Sequence, residues 1–381
     1  MPMHEQTVAD LCASAGIEFV VSLPCDRTKV LCEILEQRFR YVTIAREEDG
    51  IGICSGLSLA GKRCLLAMQS SGLGNSLNAL MTLPNLYQLP LPILASWRGV
   101  YHEKIPAQVP FNEKIPDLLS MYGIPCTTIR SVNDLPLLNE CIADAYACSR
   151  PHVALIQPNV WEGDDSTPSA GPCHPLRERL VTPLPASAFP LPVMTRNEAI
   201  QSVASLLTDE IVVGNIGIPS KELHAVRDRP GNFYMLGSYT QATPIGLGLA
   251  LGSSRQVIVL DGDGSILGTA VLPTVAAERP ENLMIICLDN GVYGSTGNQC
   301  SPAYATSDLE LLAKAAGITA TVRVNTTGKL TAAFQLFQGH GPSFIHYILR
   351  PGNATVPDIP LSPLQIRDRV VGSLRIKRKE G

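Results

Sequence analysis

No stretch of this 381-residue chain stays apolar for the ~18 residues that a membrane-crossing helix needs. Its opening, MPMHEQTVADLC, lacks the basic start and apolar middle of a signal peptide. Charge of neither sign accumulates, and the net value of −4 leaves no electrostatic footprint for a nucleic acid. The eleven cysteines include no CxxC pair and no ladder of ligands. Their odd number and their scatter from Cys12 to Cys300 argue against a disulfide framework. They read as small core residues in a reducing compartment. The expectation is a cytoplasmic protein with neither membrane nor nucleic acid as a partner.

What is present is a globular balance, 45% apolar and 17% charged, in a chain long enough for roughly two domains with their own cores. In the first part, Ile17–Leu23, Tyr41–Ala45, Arg63–Met68, Leu91–Ser96 and His152–Gln157 read as strands. Helical patterns at Val8–Gly16, Thr28–Arg38, Ile51–Ala60 and Ser76–Leu83 lie between them. Strands alternating with helices predict a parallel, doubly wound sheet. A stretch with Pro168, Pro172, Pro175, Pro183, Pro185, Pro190 and Pro192 follows, extended and without a core of its own. It ends at Thr195-Arg196-Asn197-Glu198, a capping box that starts the next helix. The expected organisation is a domain at 1–161, a Pro-rich linker at 162–194 and a second α/β domain at 195–381.

The second domain centres on Val257 to Gln299. Two β-branched and apolar runs, Val257–Leu260 and Leu283–Leu288, each end in acid, amide and glycine, with a helix expected over Leu267–Glu278. A strand–helix–strand crossover favours parallel strands, with both carboxyl ends at the edge where open α/β sheets bind ligands. Asp263 and Asn290, 27 residues apart, are thereby expected side by side. An acid and an amide oxygen suit a hard divalent cation such as Mg²⁺. Gly262 and Gly264 allow close approach of the backbone to a phosphate, and Ser265 opens a helix whose free N–H groups favour anions. The unit reads as a metal–diphosphate clamp.

Other motifs read as structural. Gly56–Lys62 nearly matches a phosphate-binding loop, but Arg63 stands where a hydroxyl belongs and the glycines follow a helix. It reads as a helix end and turn. Gly246-Leu247-Gly248 has no strand before it and reads as close helix packing. Arg375–Lys379 reads as a solvated tail.

The spacing of Gly262-Asp263-Gly264 and Asp289-Asn290 resembles the signature of the thiamine diphosphate (ThDP) enzymes. The resemblance implies two doubly wound parallel-sheet domains of the ThDP-binding fold. The pyrimidine side comes first and the diphosphate side second, with a tether where many members carry a middle domain. It implies that Asp263, Asn290 and the carbonyl of Val292 hold Mg²⁺. Arg46-Glu47-Glu48-Asp49-Gly50, at a strand end, is similar to the family's motif for the cofactor-activating glutamate. Glu48 is its best match. Its carboxyl would share a proton with N1′ of the aminopyrimidine and so promote loss of the thiazolium C2 proton, a task that an apolar site suits. Gln69–Asn75, with Gly72, Gly74 and Asn75, resembles the glycine loop that faces cofactor and substrate. Asn215 falls in a second phosphate-facing loop, Gly214–Gly217. Gly237, Ser238 and Tyr239 match the element that holds the aminopyrimidine, although Tyr239-Thr240 departs from the family's usual Ile, Leu or Met followed by Gly.

Longer stretches, Met68–Ser76, Ser96–Gly99 and Asp289–Gln299, resemble the short 2-oxo acid decarboxylases of sulfopyruvate and phosphonopyruvate, and Tyr101–Gln108 is more similar to the former. The halves of those enzymes are often separate subunits; here they would be fused. The implied reaction is decarboxylation of 3-sulfopyruvate to sulfoacetaldehyde, a step of coenzyme M biosynthesis. Phosphonopyruvate is the alternative substrate, and a non-catalytic ThDP-binding relative the alternative of another class. The sulfonate candidates are Arg98, Lys104 and Lys29, with His102 as a proton shuttle. The resemblance further implies a homodimer or larger homo-oligomer with active sites between subunits.

Overall fold

The computed structural model describes residues 3–162, 189–304 and 306–375. The chain divides into two compact units, Met1–Leu176 and Arg177–Gly381. The division falls in the stretch read as a linker, of which residues 163–188, with Pro168 to Pro185, lie outside the described residues, as do residues 376–379 of the basic tail.

In the first unit the strands are β1 Phe19–Ser22, β2 Arg40–Thr43, β3 Cys64–Gln69, β4 Leu91–Ser96, β5 Cys126–Ile129 and β6 Pro151–Ile156. They form one sheet in the order β2-β1-β3-β4-β6-β5, every pair parallel. The chain runs outward from β1 to β2 and returns to the other side of β1, so the strand order reverses between β1 and β3. Segments leaving β1 to β4 therefore emerge on one edge beside that switch point. Helices α1 His4–Ser14, α2 Lys29–Arg38, α3 Glu47–Leu59 and α4 Gly72–Leu80 cover the sheet. Val8, Leu35, Leu65, Leu138 and Ile142 are fully buried in one of its cores.

The second unit repeats the plan with β7 Ile211–Gly214, β8 Asn232–Tyr234, β9 Val257–Gly262 and β10 Leu283–Asp289. A small hairpin follows, β11 Val292–Tyr293 with β12 Gln299–Cys300, then β13 Ala320–Val324 and β14 Ser343–Ile348. The large sheet has the order β13-β14-β10-β9-β7-β8, again wholly parallel. All seven residues of β10 are buried, as expected for a central parallel strand covered on both faces. Thr195 and Glu198 form the expected capping box: Thr195 N donates to Glu198 Oε2 at 2.7 Å, and Glu198 N to Thr195 Oγ1 at 3.3 Å. Gly246 lies in the helix Ala242–Gly252, where a Cβ would overlap Val259 of β9. Gly61, at φ +77°, turns the chain after α3. Both glycine patterns are structural.

Several boundaries differ from expectation, three of them just after strands. α3 begins at Glu47 instead of Ile51, so Glu47, Glu48 and Asp49 form its first turn, where acids complement the helix dipole. α4 begins at Gly72, which makes the expected glycine loop a helical turn. The helix expected at Leu267–Glu278 is two short ones, Asp263–Gly268 and Leu272–Glu278, the second with Pro273 in its first turn. β5 was not anticipated; its CTTI is only partly buried and carries little apolar signal. Among the described residues no helix is long and apolar enough to cross a membrane, and the described cysteines are free.

Candidate functional site

β9 and β10 run in register, Gly262 opposite Leu288, so the segments that leave them start side by side. They open onto a cleft of about 320 Å³ in the second unit. Asp263, Asn290, Val292, Gly262, Gly264, Ser265, Asn215 and Tyr239 all line it. Gly237 and Ser238 lie in the loop that delivers Tyr239 and are not part of the lining.

The turns that carry the cleft residues are acidic and well tied. Asp261, wholly buried, accepts from Thr243 Oγ1 at 2.6 Å and from Gly262 N at 2.9 Å. Asp263 accepts from the Ser301 hydroxyl. Burial pushes the Asp263 carboxyl up to about 6, the Ser301 bond opposes the shift, and the nearby Asp289 adds to it. Asp289 shapes the next turn: Oδ1 accepts from Gly291 N at 2.9 Å, and Oδ2 lies 2.7 Å from His346 Nε2. That turn presents Asn290, 3% exposed, whose Nδ2 has no hydrogen-bond partner among the described residues. A buried amide atom without a partner is costly unless something else meets the side chain. Gly264 keeps the floor open. A Cβ there would lie 2.7 Å from Tyr293 Cε1 and 3.0 Å from Tyr239 Oη.

Tyr239 is held by an unusual backbone. Ser238 and Thr240 on either side of it have φ of +61° and +78°, a left-handed conformation that is a genuine outlier for β-branched Thr. Such strain persists where the surroundings impose it, often at functional sites. Burial, then the neighbouring Tyr293, pushes the Tyr239 phenol up to about 12. One buried carboxyl, one buried amide and the backbone carbonyl of Val292 in the hairpin make a donor set for a hard, oxygen-seeking cation. It is of a different kind from a cluster of three or more His, Cys, Asp or Glu, which no group of described residues forms.

At the matching edge of the first unit, Glu48 is buried, with Arg46 Nη2 2.8 Å from its Oε2. Burial raises the Glu48 carboxyl above its ordinary range, Arg46 opposes, and Asp49 adds. Gly72 and Asn75 gather around Glu47 instead. Asn75 Nδ2 donates to Glu47 Oε2 at 3.2 Å, and a Cβ on Gly72 would overlap the Glu47 side chain. A Cβ on Gly74 would sit 2.9 Å from Phe111 Cζ.

Arg98, the first of the sulfonate candidates, is ion-paired. Its side chain is 3% exposed, with Nε 2.7 Å from Glu103 Oε2, Nη2 3.2 Å from Glu103 Oε1 and Nη1 2.6 Å from Asp26 Oδ1. A guanidinium so engaged organises the loop after β4. Lys29, Lys104 and His102 are exposed, and neither lysine has an ion-pair partner among the described residues. Glu103, Asp26, Ser301 and Tyr293 were missed as contributors. Only Glu103, five residues from Arg98 and of opposite charge, left a signal in the sequence.

Comparison with known proteins identifies the domain type of each unit. Residues 4–121 match the model of the thiamine pyrophosphate enzyme N-terminal TPP binding domain, and residues 213–347 that of the C-terminal TPP binding domain. The chain is 46% identical over 380 residues to the sulfopyruvate decarboxylase of Methanosarcina acetivorans, covering 98% of each chain. It is 44% identical over 184 residues to the sulfopyruvate decarboxylase subunit beta of Methanothermobacter thermautotrophicus, covering 48% of this chain and 97% of that one. The phosphonopyruvate decarboxylase of Streptomyces viridochromogenes is 31% identical over 363 residues, 91% of this chain and 89% of its own. With both cofactor-binding domains matched in order and a full-length relative at this identity, the chain belongs to the thiamine pyrophosphate enzyme family, among the sulfopyruvate decarboxylases.

Proposed function

We propose that the chain is a ThDP- and Mg²⁺-dependent carboxy-lyase that converts 3-sulfopyruvate to sulfoacetaldehyde and CO₂. The observation that carries the reaction class is the cleft where Asp263, Asn290 and Val292 meet among glycines. The substrate follows from the relatives: 46% identity with a sulfopyruvate enzyme against 31% with a phosphonopyruvate enzyme.

The residues present fit the cofactor. Asp263, Asn290 Oδ1 and the Val292 carbonyl would hold the cation, and Asn290 Nδ2, a donor without a partner among the described residues, would be left to donate to a diphosphate oxygen. Gly262 and Gly264, which carry no Cβ, would leave room beside Ser265 for a diphosphate. Tyr239, fixed by its strained neighbours, would pack against the rings. Glu48 would hold a proton at N1′, and a raised carboxyl pKa suits that duty near neutral pH. When bound, ThDP supplies the electron sink that makes loss of CO₂ possible. Lys104, Lys29 and His102 would meet the distal anion, and Arg98 would hold the loop that carries Lys104 and His102. We further propose a homo-oligomer in which Glu48 of one copy works on cofactor held by another.

A panel of sulfopyruvate, phosphonopyruvate and pyruvate, each with ThDP and Mg²⁺, tests the reading by CO₂ release. Sulfopyruvate should be turned over fastest. Faster release from phosphonopyruvate would overturn the substrate, and no cofactor-dependent release from any of the three would overturn the enzyme.

A further inference from the structure

The cleft has one basic side chain among the described residues of its lining, Arg196, and it is not free. Its Nε lies 2.7 Å from Glu222 Oε2 and its Nη2 3.2 Å from Glu222 Oε1, in a pair 5% and 0% exposed. Arg196 Nη2 also donates to Asn353 Oδ1 at 2.8 Å. Asn353 Nδ2 in turn donates to the carbonyl of Gly294 at 2.6 Å, and Ala354 N to Glu222 Oε1 at 3.0 Å. The chain 351–362 forms neither helix nor strand, and Gly352 at φ +126° bends it into this position.

Gly294 belongs to the hairpin segment 291–301, which carries Val292, Tyr293 and Thr296 along the cleft wall. The base of that segment is tied down: Ser301 N donates to Gly291 O at 2.8 Å, and Ser301 Oγ to Asp263. Its middle is held from outside through Asn353. The approach is close, since a Cβ on Gly294 would overlap Asn353 Oδ1.

We infer that Asn353 is a positioning residue: it fastens the 291–301 segment to the buried Arg196–Glu222 pair and so governs how long a diphosphate ligand stays in the cleft. The inference rests on reading the cleft as the diphosphate site. Asn353 is suited to the task because its amide both accepts from Arg196 and donates to Gly294. Aspartate keeps the first bond and loses the second.

The test uses the full chain loaded with ThDP and Mg²⁺. Release of ThDP is followed by displacement with excess analogue in the parent, Asn353→Asp, Asn353→Ala and Gly294→Ala. Hydrogen exchange is measured on the same proteins without cofactor. Release should quicken roughly three- to tenfold in all three variants, the change expected for one hydrogen bond. Exchange should rise within 291–301 and not across the sheet. Unchanged release, or protection lost throughout the second unit together with a lower Tm, overturns the inference and leaves Asn353 a general stabiliser. Asp263→Ala separates this from failure of the underlying reading: if that variant binds ThDP as the parent does, the cleft assignment itself is wrong.

Discussion

Arg98 and Glu103 form a two-point ion pair with both side chains almost wholly buried, 3% and 2% exposed. The Arg98 guanidinium brings the Glu103 carboxyl down to about 2 from an ordinary 4.5, burial opposes, and the Ile105 and Gly99 amides assist. A carboxyl lowered in the folded state stabilises fully above its unfolded pKa, and the contribution fades as pH falls through the folded one. The pair should therefore support the first unit above about pH 4.5 and lose its effect towards pH 2. Glu103→Gln should cost about 1.5–3 kcal/mol in urea unfolding at pH 7, as for loss of a charge-assisted bond by an Arg98 that keeps Asp26. The gap between variant and parent should narrow steadily below pH 4.5. A gap independent of pH would mean that the lost packing, and not the charge, is responsible.

Glu48→Gln keeps size and hydrogen bonding but cannot exchange a proton. Exchange of the ThDP C2 proton, followed by NMR, should slow by roughly a hundredfold or more. Glu47→Gln should slow it far less, because Glu47 is turned towards Asn75 and Gly72. The opposite ranking would shift the activating role to Glu47.

Gly246→Ala tests the packing of a helix on its sheet. The added methyl would meet Val259, and overpacking of this kind costs roughly 1–3 kcal/mol. Tm should fall while ThDP affinity of the folded protein stays that of the parent. A selective loss of affinity would argue for a ligand at this glycine.

The central strands were legible because VIVL and LMIICL are apolar, β-branched runs cut short by acid and glycine. Their parallel pairing brought Asp263 and Asn290 to one cleft without further assumption. The start of α3 was not legible. Three acids before a helical run are equally a loop or a first turn, and only the folded neighbourhood decides. The ion pairing of Arg98 was not legible because Tyr101 and His102, both in the left-handed region, fold the chain back and bring Glu103 onto it. No periodicity announces such a turn. Ser301 was invisible because it reaches Asp263 across 38 residues through a hairpin that no local pattern specifies.

Residues 1–165 and 192–381, produced as separate chains, should fold and together restore ThDP-dependent activity. Each range contains a complete six-stranded sheet. Co-purified, folded halves without activity would show that the stretch between them contributes more than a connection.

The two complete sheets in one polypeptide have a consequence for supply. A relative whose name marks it as a beta subunit spans only 48% of this chain, and an enzyme made in pieces depends on matched production of each piece. Here every diphosphate-side sheet is synthesised with one pyrimidine-side sheet attached, so the ratio of the two is one to one at any expression level. Because the two are also tethered, dilution cannot separate them, and their local concentration is set by chain length instead of by abundance.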